Sequence, residues 1–355
     1  SKTPDVRLQI TPLLNTEVKS ELFLIDLGLG KNRMGGSSLA QVFNQIGNIA
    51  PDLDDPKLFA KFFKLINTLN KDNLIIAYHD RSDGGALISL LEMAFASKCG
   101  LDIRTSNLIT DLFNEELGCI IQVSESNRKR VLEEFNAIGM EDYANPIAKI
   151  NQSDEILIYQ KNKKVFQDKR SNLQKLWSST SFEIAKLRDN PECAESENLE
   201  TLKKSHGLKV STVFDINEEI SAPYLNQNIK PKIAILREQG INGHVEMAAA
   251  FSQAGFEATD VHMSQILSGE ISLSQFKGLA ACGGFSYGDV LGAGRGWANS
   301  ILLNKHVKDE FSEYFLRTDS FTLGVCNGCQ MISNLSEIIP GTEEWPSFEK
   351  DTSEQ

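Results

Sequence analysis

Apolar and polar positions fall into three patterns along the chain. Up to about residue 160, short apolar runs take turns with amphipathic stretches. Leu22-Phe23-Leu24-Ile25-Asp26-Leu27-Gly28 reads as a strand ending in a glycine turn. Leu58 to Leu69 has helical periodicity, Leu74 to Tyr78 is a short apolar strand, and Gly85 to Ala96 is an amphipathic helix. Gly118 to Val123 predicts another strand and Arg128 to Ile138 another helix. This mixture predicts an α/β or α+β domain over residues 1–160. Residues 161–230 read as a connector: Phe166 to Leu187 looks helical, Asn190-Pro191 stops it, and Glu195 to Lys209 is polar. From Lys232 onward, strands at 233–236, 258–262, 278–282 and 322–325 alternate with helices at 245–254, at 297–315 and from Gln330. That order predicts a doubly wound parallel sheet over residues 231–355, with the ligand crevice outside the carboxyl ends of its strands.

Composition narrows the class. The 355 residues are 41% hydrophobic and 24% charged, ordinary for a soluble globular chain with cores large enough to need no staples. Net charge is −12 with no basic patch, so nucleic acid and anionic membrane surfaces are not expected partners. Six cysteines are too sparse for a disulfide scaffold. No apolar run approaches the roughly 18 residues of a membrane span. Ser1-Lys2-Thr3-Pro4 does not resemble a signal peptide, and a cytoplasmic location is the expectation. The chain lacks an initiator Met and finishes in the polar run Trp345 to Gln355, which predicts a piece of a longer protein.

Chemistry is suggested at the ends of the predicted strands. In Gly324-Val325-Cys326-Asn327-Gly328-Cys329-Gln330 an apolar strand runs into a cysteine flanked by glycines, and a helix follows. That is the layout of a nucleophile elbow. A thiol beside a helix N-terminus is activated as thiolate and can attack a carboxamide. Cys326-x-x-Cys329 is also compatible with half a zinc site, a dithiol redox pair or a buried structural cysteine. Upstream, Cys282-Gly283-Gly284-Phe285-Ser286-Tyr287-Gly288-Asp289 places glycines where backbone N–H groups could face an oxyanion, or where the chain simply turns.

In the first stretch, Tyr78-His79-Asp80-Arg81-Ser82-Asp83-Gly84-Gly85 joins a strand to a helix. Its carboxylates could hold Mg²⁺ with nucleotide phosphates, or Ser82 or Asp83 could merely cap the helix. Gly30 to Ser38 is a Gly/Ser/basic loop that could hold a phosphate or be an ordinary connection, and Glu115 and Glu116 precede a strand.

The elbow and the Gly-Gly strand together resemble the class I glutamine amidotransferases, a flavodoxin-like fold. The resemblance implies that Cys326 is the nucleophile, that Gly283 and Gly284 serve the oxyanion, and that Gln330 lies beside the glutamine pocket. It also implies a downstream His and Glu. No histidine follows His306 and only 29 residues follow Cys326, so negligible glutaminase turnover and a domain incomplete at its C-terminus are expected. The D-x-S-D-G-G run with the 30–38 and 113–118 segments resembles the ATP-binding superfamily of aminoimidazole ribonucleotide (AIR) synthetase. It implies Asp80 as a Mg²⁺ ligand and Ser82 as a nucleotide contact, with Asp83, Glu115 and Glu116 as lesser candidates.

The order of the two parts is similar to that of large single-chain phosphoribosylformylglycinamidine synthases. Leu187 to Cys193, Phe214 to Asn217, Leu236 to Gly240 and His244 to Phe251 carry the same likeness. It implies ATP, Mg²⁺, glutamine and formylglycinamide ribonucleotide as ligands of a parent enzyme that can be monomeric. Two other readings stay open: a different amidotransferase fused to a synthetase, and a DJ-1-like binding or redox module.

Overall fold

Leu22 to Ile25 are all buried because both faces of their strand are covered. Leu22 and Leu24 pack with Ala86, Leu90 and Met93 on one side, while Phe23 and Ile25 pack with Phe62, Leu69 and Phe135 on the other. A strand covered on both faces reads as a continuous apolar run rather than an alternating one. The computed structural model describes residues 5–203, 208–225 and 229–354. The chain divides into two compact units, Ser1–His206 with Thr352–Gln355, and Gly207–Asp351. The start Ser1 to Pro4 and residues 204–207 of the polar tract lie outside the described residues.

The first unit runs β1 (Ser20–Asp26), α1 (Ser38–Val42), α2 (Pro56–Lys71), β2 (Ala77–Asp80), α3 (Gly85–Ser97), β3 (Gly100–Thr105) and α4 (Leu108–Phe113). It continues through β4 (Gly118–Ser124), α5 (Arg128–Ala137), β5 (Ala144–Asn151), β6 (Glu155–Gln160), β7 (Lys163–Lys169), α6 (Arg170–Arg188) and α7 (Pro191–Leu202). The strands form one seven-stranded sheet in the order β2-β4-β1-β5-β3-β6-β7. The β3–β6 pair is parallel and the other pairs are antiparallel.

The segment 161–230, expected as a connector, is divided. Lys163–Lys169 closes the first sheet as its edge strand, and the helix begins at Arg170 rather than Phe166. Asn190-Pro191 ends α6 and starts α7: Asn190 accepts from the Glu192 and Cys193 amides, and Pro191 takes the first helical position, where its missing N–H costs nothing.

The second unit contains α8 (Ala222–Leu225), β8 (Lys232–Arg237), α9 (His244–Gln253), β9 (Glu257–His262), α10 (Met263–Leu267) and β10 (Gly278–Ala281). There follow α11 (Arg295–Leu302), α12 (Lys305–Phe315), β11 (Phe321–Gly324) and α13 (Asn327–Ser333). The four strands are parallel in the order β11-β10-β8-β9. Ala234, Leu236, Leu279 and Ala281 face one apolar cluster; Ile233, Ile235, Ala280 and Cys282 face another. Both faces are thus buried, as a doubly wound sheet requires. The stretch predicted as one helix over 297–315 is two, because Asn304 caps α12 by accepting from the Val307 amide.

Candidate functional site

In the second unit β11 delivers the chain to Cys326, which has φ 52° and ψ −118° and is exposed. That conformation belongs to the first central position of a type II′ turn, where glycine is preferred because a Cβ clashes. The Val325 amide still donates to Ala281, and the Gln330 amide already donates to the Cys326 carbonyl at 3.0 Å. The bend is therefore confined to one residue between a parallel strand and a helix. A Cβ added to Gly328 would stand 2.1 Å from the Ala281 oxygen, so only glycine lets the helix start this close to β10.

Gly283 stands against the thiol. A Cβ built there would lie 3.0 Å from the Cys326 Cβ and 3.7 Å from its Sγ. Gly284 has φ 143° and bridges to Ile241, flanked by hydrogen bonds from the Asn242 amide to Gly283 and from the Phe285 amide to Gly240. The turn at 240–242 and the paired glycines thus hold each other in register beside the sulfur. The amides of Cys326 and Asn327 have no carbonyl partner among the described residues, which leaves them as donors at the bend.

Gln330 is half-buried one turn along α13, and its Oε1 accepts from Asn327 at 3.3 Å. Cys329 is exposed into different surroundings, an apolar cavity lined by Phe315, Ile332, Trp345 and Phe348. Cys282, directly after β10, is buried, and burial, with the Asp260 charge adding to it, pushes its thiol up to about 11. It is an inert thiol at neutral pH.

In the first unit Asp80 is exposed at the end of β2 and accepts from the Tyr78 hydroxyl at 2.5 Å. His79 faces the other way, 2.9 Å from Glu92. Ser82 is exposed, its amide donating to Ser89. Neither Ser82 nor Asp83 caps α3, contrary to one of the expected alternatives. The N-cap is Gly84, at φ 83° and without a side-chain bond. Its amide is satisfied by Glu115 Oε1 at 2.8 Å, the same oxygen that accepts from the Ser38 amide at the start of α1.

The Gly/Ser/basic loop likewise spends its cations internally. Arg33 donates to Glu116 and Asp54, and Lys31 pairs with Asp54. Among the described residues no group of three or more His, Cys, Asp or Glu is placed to hold a metal ion. Asp80 offers one carboxylate, which fits a magnesium ion only where phosphates and further ligands complete the shell.

Two family models match the chain. Residues 27–160 match the AIR synthase related protein, C-terminal domain, and residues 230–355 the CobB/CobQ-like glutamine amidotransferase domain. The chain joins an AIR-synthase-related domain to a glutamine amidotransferase domain. Solved structures similar to it include PurL of T. maritima complexed with ATP, at 12% identity over 47% of this chain and 27% of that one, TM-score 0.38. PurL of T. maritima complexed with FGAR matches at 11% identity over 47% and 30%, TM-score 0.38. HypE of E. coli, a hydrogenase maturation protein, matches at 18% over 45% and 52%, TM-score 0.34. The matched regions cover less than a third of each of the two PurL chains.

Sequence reasoning missed a residue of the amidotransferase domain that joins its two glycine segments. Asn327 is fully buried. Its Oδ1 accepts from the Ser286 hydroxyl at 2.6 Å and the Ser286 amide at 3.2 Å, and its Nδ2 donates to Asp289 at 2.9 Å. A side chain next to Cys326 thus ties the bend to the loop after Gly284. An asparagine directly after the cysteine, with Ser and Asp at 286 and 289, was the available signal. In the AIR-synthase-related domain the missed role is that of Glu115, whose one oxygen serves two helix starts where a carboxylate is electrostatically favoured.

Proposed function

We propose that this chain is part of a phosphoribosylformylglycinamidine synthase, an ATP-dependent carbon–nitrogen ligase that takes its nitrogen from glutamine. The observation that carries the reading is the strained, exposed Cys326 standing against Gly283. The presence of both domain types in one chain supports it. The Cys326 sulfur attacks the glutamine carboxamide carbon, and the Cys326 and Asn327 amides, with those around Gly283 and Gly284, face the oxygen that becomes negative. The carbon–nitrogen bond breaks, ammonia leaves with the thiol proton, and water cleaves the γ-glutamyl thioester to glutamate and free thiol.

Proton transfer needs a base. Among the described residues no hydrogen bond joins Cys326 to a histidine, and no histidine follows His306 in the sequence, so the chain alone is expected to turn glutamine over negligibly. In the whole enzyme ATP activates the amide oxygen of formylglycinamide ribonucleotide, and ammonia displaces phosphate to give the amidine. Asp80 and Ser82 belong to this reading as contacts of a magnesium-bound nucleotide that other parts of the enzyme must complete. A cytoplasmic setting is part of the same reading.

The test uses the enzyme that carries this chain. Cys326→Ala should abolish amidine formation from glutamine and leave formation from ammonia intact. Equal loss with both nitrogen donors, or no loss with glutamine, refutes the assignment.

A further inference from the structure

The paired glycines and the Cys326 bend lie side by side, yet different parts of the chain hold them. The 240–242 turn fixes the glycines, through the bonds of the Asn242 amide to Gly283 and of the Phe285 amide to Gly240. Among the described residues, the hydrogen bonds that cross from residues 326–330 to the loop 283–289 all belong to the Asn327 side chain.

That side chain is fully buried and uses its whole hydrogen-bonding capacity. Oδ1 accepts from the Ser286 hydroxyl and amide, and Nδ2 donates to Asp289 at 2.9 Å and to Gln330 Oε1 at 3.3 Å. The Ser286 amide can only donate and a carboxylate can only accept, so the gap fits a carboxamide in one orientation.

The loop needs such a tether. Tyr287, Gly288 and Asp289 follow one another at φ 54°, 62° and 52°, in the left-handed region that residues with a Cβ rarely occupy. A conformation of that kind persists only where its surroundings over-determine it. Here the Tyr287 amide donates to the Gln239 carbonyl at 3.3 Å, and Asp289 Oδ1 takes the Gly294 amide at 3.3 Å besides Asn327. Gly294 in turn leaves no room against α13: a Cβ there would stand 2.5 Å from the Met331 nitrogen. The loop is thus clamped to the helix that begins at the bend.

We infer that Asn327 is a positioning residue: its carboxamide sets where Gly283 and Gly284 stand relative to the Cys326 thiol. The inference rests on the function proposed above. Buried, fully satisfied polar networks are rigid, and a misplacement of about 1 Å at a reacting group costs about 10²-fold in rate. With 0% exposure the Asn327 side chain cannot touch glutamine, so it acts on the chemical step and leaves KM nearly alone.

The experiment uses the enzyme that carries this chain. Asn327→Asp is isosteric: it keeps an oxygen for Ser286 and sets a second one against the oxygens of Asp289 and Gln330. Its kcat for amidine formation from glutamine should fall at least about tenfold, with KM within about threefold and formation from ammonia unchanged. Adding Asp289→Asn to that variant returns a donor to the gap and should recover most of the lost kcat. Asn304→Ala removes a cap on a different helix, lowers stability there and should leave kcat as it is. If Asn327→Asp does not fold, Ser286→Ala, which deletes one hydroxyl, should show the same loss in kcat with KM kept. The inference is overturned if the folded variant turns glutamine over at the natural kcat, if the loss falls on KM alone, if both nitrogen donors lose equally, or if Asn304→Ala loses as much. Cys326→Ala tests the underlying reading separately. Glutamine-dependent turnover that survives it sinks that reading, whereas its loss beside a natural kcat in Asn327→Asp sinks the clamp alone.

Discussion

Cys326 sits in a backbone conformation that a residue with a Cβ adopts at a cost, and that cost is measurable. Strained φ/ψ of this kind costs about 1–3 kcal/mol. Cys326→Ala keeps the Cβ and the strain; Cys326→Gly removes both. Because Cys326 is exposed, neither change opens a core cavity. Glycine adds unfolded-state entropy worth about 0.5–1 kcal/mol against alanine. The difference leaves Cys326→Gly more stable than Cys326→Ala by about 0–2.5 kcal/mol. For a unit of this size, each kcal/mol corresponds to roughly 2–4 °C in Tm.

Denaturant unfolding of the full chain reads the difference, because Trp297 and Trp345 report on the second unit and Trp177 on the first. The second-unit transition should move between the two variants and the first-unit transition should not. A Cys326→Gly chain less stable than Cys326→Ala would mean that the bend stores less strain than glycine's entropy cost of about 0.5–1 kcal/mol, and the elbow argument would fail. On the proposed function, the expected result also explains why a residue unsuited to the turn stands there: glycine would stabilise the unit and remove the thiol.

Three more consequences follow from the same geometry. Gly283→Ala places a methyl 3.0 Å from the Cys326 Cβ; displacing the thiol should slow its alkylation by a glutamine analogue about tenfold or more, while the unfolding midpoint changes little. Asn327→Leu leaves the Ser286 hydroxyl and amide without their acceptor and takes one donor from Asp289, and should destabilise the second unit by about 1–3 kcal/mol in denaturant titrations. At Asp111, burial alone would raise the carboxyl, but hydrogen bonds from Asn107, Ser106 and Thr105 outweigh it and hold the group below its ordinary value. A carboxyl lowered in the folded state contributes stability above its unfolded pKa of about 3.9, and loses it as pH falls through the lower folded value. Asp111→Asn should therefore lower the first unit's midpoint at neutral pH and narrow its gap from the natural chain in acid.

The second unit was legible because each of its strands is a compact apolar run between turn residues. Ile233 to Leu236 and Gly278 to Cys282 were both read within a residue or two. The first unit was harder. β5 contains Pro146, a residue that argues against a strand interior, and β7 is the exposed edge run Lys-Lys-Val-Phe-Gln-Asp-Lys, whose polarity imitates a linker.

The strand-to-helix bend at Cys326 could be read from the apolar run before it and the glycines at 324 and 328. The clamp through Asn327 and the twofold use of Glu115 could not. Each depends on partners 31 to 77 residues away, beyond any local pattern. The D-x-S-D-G-G run misled in part: its serine and aspartate look like helix caps, but Gly84 holds that position because α3 begins from a left-handed residue.

The account rests on Cys326 meeting an amide at a site shaped for glutamine. Incubating the full chain with a glutamine-analogue chloroketone, with and without excess glutamine, and mapping the adduct by peptide mass spectrometry tests this directly. The account predicts one adduct on Cys326, suppressed by glutamine, with Cys329, which is exposed too, left largely unmodified. Equal labelling of both cysteines, or labelling of Cys326 that glutamine does not slow, would contradict it.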